Sequence, residues 1–356
     1  MKILMLCDYS LLKIYKNYLN GTGPSQELWG YAELLEKKDF DIQFLPYKKF
    51  KWVNKLGNLI GFSHLDQQLI LLTKLNNADL IIEVTAGASS KLILTLKSIG
   101  LIQTPIIAFV HWPMLGNTSN SNLVKKIGKK WLFQYDKLIY VSKEIMKHNI
   151  KVFKLKKEDY IDKFIHMDWG SQTNFYHINE HIEVSEDFAV SVGKSQRDFD
   201  TLIAAFSKTK MKLKIYPGPN FTPNIKIIPP NIEIIDRLVP YKDLIQVYHQ
   251  AKFILICLQN PNLSTIGLTS LMDVLAIGKP VIMTKNIFVD IDVEASGVGY
   301  SVDVGDVDGW ITKINTLKED HALCLEMGRN ARKLHEEKYN MKRFSSELHK
   351  ILLEYK

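Results

Sequence analysis

Short apolar runs alternate with segments of helical periodicity along the whole of this chain. Apolar runs of strand length between helical segments are typical of a parallel sheet with helices on both faces. The first half predicts strands at 2–7, 42–46, 80–84, 106–110, 138–141 and 164–167, and helices near 25–36, 66–76, 91–99, 122–133 and 143–151. The second half predicts strands at 189–192, 212–216, 232–234, 253–257, 281–283 and 299–302, and helices near 198–208, 241–250, 269–277, 307–317 and 322–339. The pattern indicates an α/β fold with two Rossmann-like halves.

The length of the chain agrees with this division. A chain of 356 residues exceeds one comfortable hydrophobic core, so two domains are expected. The polar stretch 173–187 is the predicted boundary, giving domains 1–175 and 176–340, with a last helix at 341–356 that packs back on the first domain. No apolar run reaches the roughly 18 residues that a membrane helix needs, and MKILMLCDYS resembles a buried strand more than a signal peptide. A cytoplasmic location is therefore expected.

The charge of the chain is unevenly distributed. Residues 1–178 contain 24 Lys, no Arg and 15 acidic residues, whereas residues 179–356 contain 22 basic and 23 acidic residues. A basic excess confined to one half indicates a polyanionic partner: nucleic acid, an anionic membrane or a phosphorylated substrate. The absence of Arg argues against nucleic acid. The three cysteines are widely spaced, with neither a disulfide framework nor zinc-ligand spacing.

A basic, aromatic stretch in the first half specifies this partner further. Lysines at helical spacing and a tryptophan suit an anionic membrane surface, where the ring lies among the headgroups. The alternative is a solvated lysine-rich face. The candidate membrane or acceptor surface comprises Lys125, Lys126, Lys129, Lys130 and Trp131, with further lysines at 48, 49, 51 and 55 beside Trp52.

The segment 265–283 predicts a glycine turn, a helix, a Gly-Lys-Pro turn and a buried strand. Its helix begins with Gly267, Thr269 and Ser270, and the free N–H groups of such a start attract anions. Asp273 lies four residues after Thr269 among apolar neighbours. An anion site beside one acid suits a nucleoside diphosphate, with the carboxylate on the ribose. An ordinary βαβ unit with a solvated Asp273 is the alternative.

Five segments together resemble retaining glycosyltransferases of the GT-B fold, family 4. In these enzymes two Rossmann-like domains face each other across a cleft. The resemblance covers the second half well and the first half mainly by architecture. The segments are 169–176 (WGSQTNFY), 191–202 (SVGKSQRDFDTL), 273–282 (DVLAIGKPVI), 304–306 (VGD) and 327–332 (MGRNAR).

The resemblance implies transfer of a sugar from a nucleotide-sugar donor, bound by the second domain, without a metal or other cofactor. Arg197 matches the diphosphate-binding Lys of the family and Lys194 its Arg. Gly267 and Leu268 would supply backbone N–H groups to the diphosphate. Asp273 matches the second of two family glutamates, which holds the ribose. Thr265 stands in place of the first, which binds sugar hydroxyls, so Asn262, Ser264 or Thr265 are the candidates for that contact.

Other positions follow from the same resemblance. His111 comes after the strand 106–110, where the family has a His beside the reacting sugar; a capping or core histidine is the alternative. Gly21 and Gly23 lie in a glycine-rich loop that would touch the donor phosphate, unless that loop is merely flexible. Arg237 and Leu238 follow a strand where the family grips the base. The paired acids Asp290/Asp292 and Asp306/Asp308 are interpreted as structural, Asp306 as a helix N-cap.

The implied acceptor is a saccharide or a lipid-linked sugar, as in bacterial glycolipid, capsule or cell-wall polysaccharide synthesis. Two alternatives stay open. A nucleotide-sugar epimerase of the same fold would need paired acids that this sequence lacks. A degenerate transferase that binds a nucleotide-sugar without turning it over would explain the missing acid at Thr265. The sequence does not specify an oligomeric state.

Overall fold

The computed structural model describes residues 1–114, 121–177, 188–225, 227–261 and 264–356. The chain divides into two compact units. Unit 1 comprises residues 1–20, 25–169 and 341–356, and unit 2 comprises residues 21–24 and 170–340. Most of the predicted boundary stretch, 178–187, lies outside the described residues.

Unit 1 is built on a six-stranded parallel sheet with the strand order β2-β1-β3-β4-β5-β6. Its central strands are buried along their whole length, because helices cover both faces. The strands are β1 (Lys2–Leu6), β2 (Asp41–Phe44), β3 (Leu80–Glu83), β4 (Ile106–Val110), β5 (Lys137–Tyr140) and β6 (Phe164–His166). The helices are α1 (Leu11–Leu19), α2 (Tyr31–Leu35), α3 (Lys51–Leu59), α4 (Leu65–Leu72), α5 (Lys91–Ser98), α6 (Asn122–Leu132), α7 (Lys143–Phe153), α8 (Lys157–Tyr160) and α15 (Met341–Leu353), with 3₁₀ turns at Gln26–Leu28 and Leu75–Asn77.

Helix α15 completes the core of unit 1. It follows unit 2 in the chain, packs against α2 and buries an apolar stripe of residues at helical spacing. These residues are Phe344, Leu348, Ile351 and Leu352.

Unit 2 repeats the architecture, with the strand order β12-β11-β10-β7-β8-β9 and every pair parallel. The strands are β7 (Phe188–Val192), β8 (Lys212–Tyr216), β9 (Ile232–Ile234), β10 (Ile254–Ile256), β11 (Val281–Thr284) and β12 (Gly299–Val302). The helices are α9 (Thr173–Tyr176), α10 (Phe199–Phe206), α11 (Tyr241–Gln250), α12 (Leu268–Ile277), α13 (Val307–Glu319) and α14 (His321–Glu337). Since parallel strands end at one edge of a sheet, the loops after β7, β9 and β10 and the start of α12 are expected at the ligand-binding edge.

The predicted strands are confirmed to within one or two residues, but the helices of unit 1 differ. Helices α1 and α3 were not predicted, and the helix expected at 25–36 is broken into a 3₁₀ turn and α2. The break lies at Trp29 and Gly30, whose φ angles of 52° and 84° are both left-handed and cannot continue a helix.

Two further sequence interpretations can be checked on the described residues. Asp306 caps α13 by accepting from the Gly309 N–H at 2.9 Å, as predicted. The three cysteines are free and buried. Among the described residues, no helix combines the length and apolar character needed to cross a bilayer, and no cluster of three or more His, Cys, Asp or Glu side chains could hold a metal.

Candidate functional site

The first turn of α12 is open at its amino end. Its N-cap, Gly267, has φ 91°, and a Cβ there would lie 3.2 Å from Ile256 Cγ2, so glycine is required both for conformation and for space. The Leu268 N–H was predicted to bind the diphosphate. This is wrong, because that N–H donates to the Thr265 carbonyl at 3.0 Å. The N–H groups of Thr269 and Ser270 have no acceptor among the described residues, and Thr269 is exposed. The amides that the amino end of α12 can offer to an anion are therefore those of Thr269 and Ser270.

Arg197 places a positive charge beside this turn. Its Nη2 donates to Ser270 Oγ at 2.8 Å, and its Nη1 donates to the Ser195 carbonyl at 3.1 Å. The guanidinium lies against Gly193, where a Cβ would come within 2.4 Å of Arg197 Nε. Across the described residues no carboxylate lies within ion-pair distance of Arg197, and burial lowers its pKa. The result is an uncompensated, partly desolvated cation fixed at the amino end of a helix.

The other predicted donor residues are more exposed. The side chain of Lys194 is exposed and lies over Gly218, where a Cβ would be 2.9 Å from the lysine Cε. Arg237 and Leu238 follow β9 on an exposed loop, and Leu238 has 67% of its surface accessible. In the described part of the chain none of these three side chains bonds to Arg197. The structure therefore fixes Arg197 in place and leaves the others in solvent.

Asp273 is buried, not solvated, with 4% of its surface accessible. Its Oδ1 accepts from the Tyr176 hydroxyl at 2.5 Å, and the Tyr176 and Tyr241 hydroxyls lie 3.2 Å apart. Burial raises the pKa of Tyr241 well above its usual value, and the nearby Asp273 carboxylate raises it further. The alternative of a solvated acid is thus excluded, and the carboxylate is directed into a tyrosine cluster that links α12 to α9 and α11.

A buried asparagine holds the loop before α12. Asn286 Nδ2 donates to the carbonyls of Ser264 and Ile266 at 2.9 Å each, while its Oδ1 accepts from the Phe288 N–H. This clamp holds the loop on both sides of Thr265, the residue that the sequence resemblance aligns with an acid. Asn262, another candidate for a sugar contact, lies outside the described residues. Asn286 was missed by the sequence reasoning because nothing local distinguishes it.

His111 directly follows β4 in unit 1, as predicted. Its ring stacks on Trp29 with 5.4 Å between centroids, and the Trp29 indole donates to the Tyr9 hydroxyl. Burial lowers the pKa of His111 to about 4, with a small opposing effect of Asp8. The imidazole is therefore neutral at pH 7.

The two glycines of the predicted phosphate loop differ in exposure. Gly21 is exposed, with φ 63° and open space where a Cβ would be, whereas Gly23 is half-buried.

A buried carboxylate at the end of β3 was also missed. Glu83 is fully buried and accepts from the N–H groups of Gly87 and Ser89, and from the hydroxyls of Ser90 and Tyr135. Burial raises the pKa of Glu83, and these donors oppose the rise. The signal in the sequence was an acid ending an otherwise apolar strand, which indicates a carboxylate that organises the following loop.

The basic stretch forms α6. Its tryptophan, which was predicted to lie at a membrane surface, is partly covered by α5. The Trp131 indole donates to Thr95 Oγ1 of α5 at 3.1 Å and is half-buried. Lys129 lies over the Phe133 ring at 5.7 Å, while Lys126 and Lys130 are exposed and Lys125 is half-buried. Trp131 therefore fastens α6 to α5, and its place at a membrane surface stays a prediction.

Comparison with known proteins places the fold. No family model matches the chain, and no curated protein matches its sequence. Solved structures do match. Anabaena HepE with UDP-glucose has TM-score 0.70 and 14% identity over 99% of this chain and 100% of its own. Sucrose-phosphate synthase from Thermosynechococcus elongatus has TM-score 0.68 and 14% identity over 99% and 98%. A glycosyltransferase from Rickettsia africae ESF-5 has TM-score 0.63 and 15% identity over the same shares. The chain thus has the GT-B fold of glycosyltransferases.

Proposed function

We propose that the protein is a retaining glycosyltransferase that moves a sugar from a nucleotide-sugar donor to a saccharide or lipid-linked acceptor. The observation that carries the proposal is the Arg197 guanidinium, held at the open amino end of α12 with no carboxylate partner in the described parts of the chain. A charge in that position needs an anion, and the structurally similar HepE has been solved with UDP-glucose. A bacterial glycolipid, capsule or cell-wall polysaccharide is the expected product class.

The chemistry of the proposed reaction requires such a site. Breaking the bond between the sugar and the nucleotide leaves a diphosphate with growing negative charge. Donors fixed in advance around that charge lower the barrier. Arg197 and the amides of Thr269 and Ser270 supply them, with Lys194 as an exposed second cation. In this proposal they replace a metal ion, so chelation with EDTA should leave the transfer rate unchanged.

The roles of His111 and Asp273 are narrower than the resemblance implies. With its pKa near 4, His111 is a weak base at pH 7. We therefore assign it a polar contact to the sugar and leave the acceptor proton to the donor phosphate. Tyr176 already engages Asp273 Oδ1, so we assign the carboxylate a role in positioning α12, and its contact with the ribose stays a prediction. Arg237 and Leu238 remain proposed contacts to the base.

Calorimetry with UDP, GDP and ADP, followed by transfer assays with the matching nucleotide-sugars, tests the proposal. We expect one diphosphate to bind, and Arg197→Ala to weaken that binding by roughly ten- to hundredfold and to reduce transfer. Arg343→Ala is the matched control, since Arg343 lies in unit 1 and pairs with Glu347 on a solvent-exposed helix face. Failure of all three diphosphates to bind would contradict the proposed function.

A second candidate is a nucleotide-sugar-binding protein without turnover. It is favoured by Thr265, which stands clamped by Asn286 where an acid would bind the sugar. Diphosphate binding that depends on Arg197, combined with neither transfer nor hydrolysis of any nucleotide-sugar, would support this alternative. Thr265→Glu would then be the variant to test for a gain of turnover.

A further inference from the structure

Helix α3 of unit 1 exposes its large apolar side chains to solvent instead of burying them. It buries Val53, Asn54 and Gly57, whereas its large apolar side chains face the solvent. Trp52 is 72% exposed, Leu56 51% and Leu59 79%. The exposed series continues into the next residue with Ile60, at 58%. An amphipathic helix on a protein surface normally buries such residues and exposes the amide and the glycine.

Specific contacts fix this orientation. Asn54 Oδ1 accepts from the Asp66 N–H at 3.1 Å, and the Asp66 carboxylate accepts from the Phe50 N–H at 2.9 Å. Gly57 lets the helix approach the following turn closely, because a Cβ there would lie 2.4 Å from the Phe62 carbonyl and 2.6 Å from Leu65 Cβ. Turning the apolar face inward would break both hydrogen bonds and replace the glycine contact with large side chains. The exposure is therefore built into the packing.

The segment that carries this surface has charge of a single sign. Residues 42–65 contain four lysines and no acidic residue. Lys48, Lys49, Lys51 and Lys55 are all exposed. A fifth cation, Lys91 Nζ, donates to the Gly61 carbonyl at 3.4 Å. The next acid along the chain, Asp66, is buried and bonded to backbone N–H groups. The surface thus combines protruding apolar side chains with surrounding positive charge.

We propose that α3, through Trp52, Leu56, Leu59 and Ile60, inserts into the headgroup region of an anionic lipid bilayer. Lysine side chains at a bilayer keep their ammonium groups among phosphates while their stems cover apolar surface. In a protein interface the same lysines would have to be desolvated, and lysine is depleted there. The charge pattern therefore favours lipid over a protein partner. The inference concerns binding alone and stands independently of the proposed sugar transfer.

Flotation of the full chain with phosphatidylcholine vesicles, with and without phosphatidylglycerol, tests this surface. The wild type should bind only the anionic vesicles and should be released by salt. Trp52→Ser with Leu59→Ser should weaken that binding at least about tenfold, since both side chains protrude into solvent and their loss leaves the fold intact. Lys51→Gln with Lys55→Gln should weaken it by several-fold and reduce the salt dependence.

The control variant carries Ile99→Ser and Leu101→Ser, which remove two apolar side chains that are 60% and 70% exposed elsewhere on unit 1. It should bind vesicles as the wild type does. Circular dichroism of each variant separates lost binding from lost folding. Wild-type protein that fails to bind anionic vesicles would overturn the proposal. So would binding that survives the α3 variants but disappears with Lys126→Gln and Lys130→Gln. A wild-type dimer without lipid that Trp52→Ser dissociates, seen by sedimentation velocity, would instead make the surface a self-interface.

Discussion

Replacement of Gly193 by alanine is the sharpest test of the anion site, because it moves Arg197 without changing its charge. The new methyl group would come within 2.4 Å of Nε and 2.7 Å of Cζ, so the guanidinium has to leave its place beside Ser270. A hydrogen bond to a charged group contributes about 1.5–3 kcal/mol. At 1.4 kcal/mol per tenfold, diphosphate affinity should fall by roughly ten- to hundredfold.

The assay is calorimetric titration of UDP, or of GDP or ADP if one of these binds more tightly, in a double-mutant cycle. Arg197→Ala alone should cost a similar factor. In the Arg197→Ala background the Gly193→Ala change should then cost less than about twofold, since the two substitutions act through one side chain.

Backbone strain is controlled separately. Gly193 has φ 149°, a region that alanine adopts with difficulty. Gly305→Ala introduces a methyl group at φ 72° with no atom within 4 Å, so it strains the backbone without displacing a side chain. It should lower the melting temperature and leave UDP affinity unchanged. Equal losses from Gly193→Ala in both Arg197 backgrounds, or unaltered affinity in a folded Gly193→Ala protein, would refute the reasoning.

Three other predictions concern buried polar groups. Asp273→Asn should lower the free energy of unfolding by about 1–3 kcal/mol in urea titrations, because the Tyr176 hydroxyl loses a charged acceptor; weaker UDP binding at full stability would instead place the carboxylate on the ligand. Burial lowers the pKa of His335 from 6.5 to about 4, so the unfolded chain takes up a proton first as the pH falls. Wild-type stability should therefore drop between pH 6.5 and 4 by about 3 kcal/mol more than that of His335→Gln, and parallel curves would contradict this. For Glu83, burial raises the pKa above 4.5, so the folded state keeps a proton that the unfolded chain has already lost. Stability should therefore decline as the pH rises from about 4.5 to the raised pKa. Glu83→Gln should remove this decline; an unchanged pH slope would argue against it.

The strands could be predicted because fully buried parallel strands are short apolar runs, and those runs are visible in the sequence. Helix α3 shows the limit of the same reasoning. Trp52, Leu56 and Leu59 recur at helical spacing, but no helix was predicted there, and a core face chosen from that period would have been the wrong one. The buried face is decided by the packing of Gly57 on Leu65 and by the hydrogen bond from the Asp66 N–H to Asn54. Both contacts depend on the neighbouring helix α4.

The candidate site also has a part that the sequence predicts and a part that it does not. Arg197 was found because the residues around it resemble a known family. Its surroundings could not be predicted, since Ser270 is 73 positions away and the contact depends on the fold. The Tyr176 partner of Asp273 is 97 positions away and was unpredicted for the same reason. Resemblance identified which charged side chains belong to the candidate site, and the structure showed which hydrogen-bond partners they have.

The interleaving of the two units along the chain has a consequence for biosynthesis. Unit 2 is nearly continuous in sequence, so it can fold as it emerges from the ribosome, whereas unit 1 still lacks α15. Until residues 341–356 are translated, the apolar faces that Phe344, Leu348 and Leu352 cover stay open. Nascent unit 1 is therefore the stage at which chaperones would engage, and a recombinant fragment ending at Trp169 should aggregate unless the last helix is supplied as a fusion.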